Sequence, residues 1–222
     1  MCGSIHASAP ADVALAMTVR RVARLFPWLV LLGWVGAAML GPLLAESANQ
    51  VDLPRILAPP SLTLPLGADD LGRPVFARLA AGAGTSLAVG VGVVLISAVV
   101  GALLGGIAGF AGGWVDLLIV RVIDVFLAFP GILLAIALAG ILGPGLGNVV
   151  IALAVVSWVG YARLVRAQVL SLRSRDHVLA ARALGAGPVR ILLRHLLPLA
   201  AAPLIVEATF GVAGAVVAEA GL

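Results

Sequence analysis

The sequence predicts an all-α membrane protein, a polytopic helical bundle of about five transmembrane helices. Three observations predict it. The 222 residues are 62% hydrophobic and only 11% charged, with mean hydropathy +1.18, whereas soluble domains carry about 25% charged residues. Uncharged runs long enough to cross a hydrocarbon core of about 30 Å recur along the chain. The polar residues gather between those runs, above all in Ser171–Pro198, SLRSRDHVLAARALGAGPVRILLRHLLP.

Taken in order, residues 1–18 are small, polar and irregular, and are expected to form a disordered tail. Residues 19–222 are expected to form a single transmembrane domain. Cys2 is the lone cysteine, which excludes a disulfide within the chain. No apolar run precedes it, so it does not read as a lipoprotein site. Arg20, Arg21 and Arg24 lead into the uncharged run Leu25–Ala45, the first span. That run is too long for a signal-peptide core and lacks a small-x-small cleavage site, so it reads as an uncleaved signal anchor.

Glu46–Ala68 holds Pro54, Pro59, Pro60 and Pro65 and reads as an extended external loop. Asp69–Arg78 reads as a short amphipathic lead-in to a second span at Thr85–Phe110. Asp116, Arg121 and Asp124 mark the return to the surface. A third span is placed at about 120–142, a break at Gly143–Asn148, a fourth span at about 149–168 and a fifth at Leu199–Ala218. The sequence stops as the fifth helix ends, which suggests a fragment or a truncated gene.

Orientation follows from arginine partition. With the N-terminus inside, eleven arginines fall on inner segments and three (Arg55, Arg73 and Arg78) on outer ones. Ser171–Pro198 is therefore expected to face the cytoplasm. Within it, Gly185 sits where a helix end needs a left-handed residue, and Pro188 suits the first turn of a new helix. On that second helix Val189, Leu192, Leu193 and Leu196 are expected on one side, with Arg190 and Arg194 as an i,i+4 pair on another. Such a helix lies in a partner's groove or along lipid headgroups, and sequence alone leaves both open.

All 14 basic residues are arginine and lysine is absent. A phosphate-binding loop of the GxxxxGK[ST] type and a Schiff-base lysine are thereby excluded. If ATP drives this protein, another chain binds it. Partition of the arginines by membrane side argues against nucleic-acid binding. An intramembrane enzyme would need a nucleophile–base or carboxylate pair at membrane depth. His6, His177 and His195 lie in the tail and the polar loop, and no Ser or Cys stands out. A secondary transporter or channel is the alternative class, but no internal repeat is visible.

Two features of the spans carry weight. Ser97, Gly101, Gly105, Gly109 and Gly113 recur every four residues, a small-residue stripe that lets helices approach closely in lipid. The stripe serves packing within the chain or the seam against a partner. Glu207 lies about eight residues into the fifth span, where a carboxylate costs about 2.5–3.5 kcal/mol and must face protein or water. It lines a translocation path, where it would attract a peptide amino terminus or a metal ion, or it is satisfied by a neighbouring helix. Asp124 reads as a local salt bridge to Arg121.

Beyond these local readings, Ala180-Ala181-x3-Gly185, followed after eleven residues by Leu197-Pro198, resembles the "EAA" loop of ABC importer permease subunits. Val178–Gly185 and Arg194–Pro198 are more similar still to the dipeptide/oligopeptide/nickel branch. Leu66–Arg73, Phe110–Asp116, Arg121–Asp124, Ala128–Pro130, Gly143–Gly145, Gly160–Arg163 with Arg166, and Ala218–Ala220 also match in order, so the resemblance covers roughly residues 66–222. It implies a type I importer permease fold and a non-enzymatic subunit of the bacterial inner membrane, with no cofactor of its own and no metal site. The implied partners are a second permease, two ATP-binding subunits and an extracytoplasmic substrate-binding protein. Ala180, Ala181, Arg182, Gly185, Pro188, Arg190, Arg194, Leu197 and Pro198 would form the coupling loop to the ATPase, with the arginines on the partner's acidic or carbonyl groups or on anionic headgroups. Two departures stand out: Leu179 replaces the acidic residue that opens the motif, and the family's last spanning helix is missing. The substrate stays open between peptides and nickel, with peptides favoured because Glu207 is nearly the only metal-ligand type in the spans.

Overall fold

The computed structural model describes the backbone of residues 10–222 and the side chains from residue 24 onward. It consists of α1 (Pro10–Asn49), a 3-10 turn (Leu53–Arg55), α2 (Val75–Ala111), α3 (Gly113–Leu127), α4 (Gly131–Leu142), α5 (Leu146–Leu172), α6 (Asp176–Ala183), α7 (Pro188–Ile191), a π turn (Leu192–Leu196) and α8 (Leu197–Glu219). Among the described residues the only β-pairing is an isolated bridge between Ala68 and Pro74. Among the described residues four helices are long and apolar enough to cross a membrane, and α3 with α4, bent by 86° at their break, counts as a fifth only where the pair is one broken span rather than a re-entrant loop. The chain is thus an all-helical membrane protein with four or five candidate spans where about five were expected, and their borders are shifted.

The borders shift for identifiable reasons. Cys2 and the first half of the predicted tail lie outside the described residues, but from Pro10 the backbone is already helical, since Ala, Val, Leu and Met are compatible with a continuing helix. α2 starts at Val75, ten residues before the predicted span. At about 1.5 Å per residue its 37 residues reach about 55 Å, well beyond the hydrocarbon thickness. The third span is not one helix. Pro130 has no N–H to donate and holds the residue before it away from helical geometry. α3 therefore closes with the Ala128 N–H on the Asp124 carbonyl, and α4 starts afresh at Gly131.

The chain divides into two compact units, Met1–Thr85 and Ser86–Leu222. In the first, α1 and the start of α2 approach through small residues. A Cβ on Gly41 would lie 2.7 Å from the Ala80 carbonyl oxygen, and one on Gly84 would lie 3.2 Å from that of Ala38. The connecting loop is compact rather than extended. Leu57 N–H donates to Asp69 O, Asp52 N–H to Leu71 O, and Ala68 N–H to Ala58 O. Asp69 is its centre: Oδ1 accepts the backbone N–H groups of Leu71 and Arg73 at 2.9 Å, and Oδ2 takes Arg73 and Arg78. Partial desolvation raises the Asp69 carboxyl, but the backbone donors and the Arg73 guanidinium outweigh it and hold its pKa at about 2. Of the predicted amphipathic lead-in, Asp69–Pro74 belongs to this hydrogen-bonded knot, and Val75–Arg78 is already the first turn of α2, whose Arg78 reaches back to Asp69.

In the second unit α5 is central. Ser97 is fully buried on α2 and donates to the Ala154 carbonyl at 3.3 Å. One turn on, Gly101 has no room for a side chain, because a Cβ would lie 2.7 Å from the Trp158 carbonyl oxygen and 2.8 Å from the Ala162 nitrogen. Gly105 abuts the Ala162 carbonyl and Gly109 that of Arg166. In lipid the attraction between helices comes from such close van der Waals contact rather than from apolar burial. Three small cores complete the unit. Val89, Val93, Ala135, Leu153 and Ala215 join α2, α4, α5 and α8. Ile123 packs on Trp158, Val159 and Ala162, with Phe126 edge-on to Trp158 at 5.5 Å. The third core underlies the polar loop.

Candidate functional site

The geometry of the polar loop is set by its glycines and prolines. α6 ends in a Schellman motif: Gly185 N–H donates to Arg182 O and Ala186 N–H to Ala181 O, with Gly185 at φ 79°. Gly187 then caps α7, and Pro188 occupies its first turn, where a missing N–H costs nothing. The break expected at Gly185–Pro188 is present.

Beyond Pro188 the structure departs from expectation. α7, the π turn and α8 form one uninterrupted helical stretch, Pro188–Glu219, so the second helix of the loop is the foot of the last span rather than a separate surface helix. The reason lies at Pro198. It offers no N–H to the Arg194 carbonyl and its ring would crowd that carbonyl in a regular α-helix. The helix widens instead, and Leu197 N–H donates to Leu192 O, five residues back. The widening also changes the buried face. Ile191 and Leu196 are buried, whereas Val189 and Leu193, expected beside Leu196 from a 3.6-residue period, are 67% and 53% exposed.

Underneath, Val178, Ile191 and Leu196 pack against Val165, Val169 and Leu172 of α5. This plug keys α6 and α7 onto the end of α5. Polar contacts tie in the end of α2 and the start of α3. Arg173 donates to the Gly109 carbonyl at 3.0 Å. Arg166 grips Asp116 bidentately, Nη2 to Oδ2 at 2.7 Å. The Arg182 guanidinium lies 5.5 Å from the Phe110 ring centroid. The upper surface carries Leu179, Ala180, Arg182, Leu184, Gly185, Pro188, Val189, Arg190 and Arg194, largely exposed. Leu184 is the most exposed large apolar residue there, at 89%. Arg190 and Arg194 have no ion-pair partner among the described residues. Ala181 and Leu197 contribute less surface than these, and Pro198 lies at the foot of the last span.

Glu207 lines an open cleft of about 610 Å³ between α3, α5 and α8, together with Asp124, Gly160, Arg163 and Arg166. It also borders a smaller cavity of about 270 Å³ lined by Ser157, Tyr161 and Gly211. Asp124 sits 3.8 Å from Arg121, both exposed. The stripe residues Ser97, Gly101, Gly105 and Gly109 meet α5 within the chain, while Gly113 lies beyond the end of α2 with nothing near it. Sequence reasoning placed Arg163, Arg166 and Asp116 in the matching motifs but missed the cleft position of Arg163, the Arg166–Asp116 grip and the Arg173 tether. Each pairs positions 50 or more apart or depends on which face of α5 is turned inward, and no local spacing signals that.

The family described as binding-protein-dependent transport system inner membrane component matches residues 101–222. The dipeptide transport system permease protein of Alkalihalophilus pseudofirmus is 43% identical over 195 residues, 87% of this chain and 64% of the relative. The glutathione transport system permease protein of Pectobacterium atrosepticum is 40% identical over 177 residues, 80% of this chain and 59% of the relative. The di/tripeptide transport system permease protein of Pseudomonas aeruginosa is 47% identical over 157 residues, 71% of this chain and 52% of the relative. The chain thus spans about three fifths of the length of the curated relatives it matches. The loop, the bent pair α3–α4 and the seam glycines Gly101, Gly105 and Gly109 of α2 all fall within residues 101–222, and the chain belongs to the family of binding-protein-dependent transport system inner membrane components.

Proposed function

We propose that this chain is the permease subunit of an ATP-driven importer that carries peptides across the inner membrane, with its N-terminus in the cytoplasm. One observation carries the reading. The loop presents an exposed surface of arginines and apolar side chains, while its underside is plugged into α5 and tethered to α2. A surface so held transmits a push from a docked partner into the spans. The dipeptide and glutathione permeases among its relatives favour peptides over nickel. Among the described residues no group of three or more His, Cys, Asp or Glu side chains comes together to hold a metal ion.

In this reading the subunit is not an enzyme and binds no cofactor. The loop docks in a groove of one of two ATP-binding subunits, a second permease completes the pathway, and an external binding protein delivers the peptide. Nucleotide-driven closure of the ATPases moves α6 and α7. The plug and the Arg173 and Arg182 tethers carry that motion to α5, α8 and the cytoplasmic end of α2. Leu179 supplies an apolar contact where the family's motif has a carboxylate.

The test is co-purification from membranes with the ATPase encoded nearby, and ATP-dependent uptake of a radiolabelled dipeptide by the reconstituted complex. Retention of the ATPase by the intact chain and its loss on Leu184→Asp with Arg190→Glu support the reading. Uptake that proceeds without any ATPase overturns it.

A further inference from the structure

The cleft between α3, α5 and α8 carries two charges that no described residue answers. Of its four charged groups, Arg166 is taken up by Asp116, and Asp124 leans toward Arg121. Arg163 and Glu207 remain, both exposed and without an ion-pair or hydrogen-bond partner among the described residues. Charges within a spanning bundle are costly unless they face a partner or water, so an unanswered pair of opposite sign lining one open cleft, Arg163 from α5 and Glu207 from α8, marks a pathway or ligand site.

The spacing suits a short zwitterion. Gly160 faces Glu207, and a Cβ built there would lie 3.9 Å from the carboxylate. Arg163 is three residues further along α5, so its anchor lies roughly 5 Å below, on the same side of the helix. An extended dipeptide backbone spans roughly 7 Å. The cleft's volume of about 610 Å³ falls in the usual range for small-ligand sites. The adjoining cavity, lined mainly by apolar and small residues and shared through Glu207, has space for a side chain.

We propose that this cleft is a substrate site reading the two ends of a peptide, with the Glu207 carboxylate holding the ammonium group and the Arg163 guanidinium holding the terminal carboxylate. The inference rests on the importer reading. It adds a site within the permease that selects peptides with both termini free. Gly160 is small so that the ammonium reaches Glu207. Arg163 suits the carboxylate because its planar fork takes both oxygens at once.

The experiment is photo-crosslinking in the assembled complex. The complex with its ATPase is placed in nanodiscs without the binding protein. It is exposed to alanyl-photoleucine, to the same dipeptide as its C-terminal amide, and to its N-acetyl form, and labelled residues are mapped by mass spectrometry. The expected result is labelling within 120–127, 157–167 and 204–211, with the free dipeptide labelling about tenfold more than either blocked form, the loss of one charge-assisted hydrogen bond in each case. Arg163→Gln should remove the preference over the amide but keep that over the acetylated form. Glu207→Gln should do the reverse, and Arg163→Lys, which keeps the charge but loses the fork, should retain only part of the preference over the amide. Equal labelling by free and blocked peptides, or labelling outside the cleft, overturns the site while the importer reading stands. A chain that recruits no ATPase and supports no uptake removes both.

Discussion

Two loops of this molecule solve the same problem with opposite chemistry. The loop between α1 and α2 is held by polar bonds that converge on one carboxylate, Asp69, which takes two backbone N–H groups and two guanidinium groups. The loop between α5 and α8 is held by an apolar plug, Val178, Ile191 and Leu196 on α5, with Arg173 and Arg182 tethered to the end of α2 and Arg190 and Arg194 exposed. The first loop therefore depends on ionisation of a single group and tolerates changes around it. The second is indifferent to pH in its hold but intolerant of any charge in its plug. It also leaves Arg190 and Arg194 without an ion-pair partner among the described residues, whereas both arginines nearest Asp69 in the first loop are spent on it.

The strongest way to break that contrast is Val178→Asp. A carboxylate in the fully buried plug would destabilise the loop by at least about 3 kcal/mol, and the expected outcome is loss of the assembled protein from membranes, read by detergent-resistant yield and by protease cleavage between 173 and 190. Persistence of a protease-resistant loop would show that the plug is not what holds it.

Next comes Asp69→Ala, which removes the acceptor for four donors at once and should open the loop between 52 and 74 to protease without affecting 176–198. The same contrast is visible in pH. The Asp69 pKa is lowered from 3.8 to about 2, so its contribution is fully present above about pH 4 and is lost as pH falls through about 2. Hydrogen exchange at the Leu71 and Arg73 amides should accelerate only in that acid window. Acceleration already at about pH 5 to 6 would contradict the assignment of the carboxylate as the centre of the knot.

A smaller effect is expected from Gly185→Ala. At φ 79° a side chain costs about 1–2 kcal/mol, so the Schellman turn should shift and ATPase retention should fall several-fold, while Gly187→Ala, at a β-region φ of −68°, should be silent. The smallest is Arg182→Gln. Loss of the contact with Phe110 is worth about 0.5–1 kcal/mol at an exposed site, and should weaken coupling of ATP hydrolysis to uptake while leaving expression unchanged. If Arg182→Gln instead abolishes ATPase binding, Arg182 belongs to the docking surface rather than to the tether.

Much of this was legible from residue order because it rests on local chemistry. Uncharged runs reported the spans, since a bilayer imposes their length. Gly185 and Pro188 reported the break in the loop, since a left-handed residue and a missing N–H each act within one turn. The stripe Ser97–Gly109 reported a close helix contact, though not that α5 would fill it. What composition and spacing determined about this protein is therefore its membrane class, its succession of apolar spans, the place of its polar loop and, through the loop's motif, its family. The tertiary structure decided the rest. It bent the predicted third span at Pro130, merged the loop's second helix with the last span through a π turn, folded the loop between α1 and α2 around Asp69, and brought Arg163 and Glu207 to one cleft. Each of these depends on which distant groups meet, and such meetings arise from the packing of whole helices rather than from any neighbour along the chain.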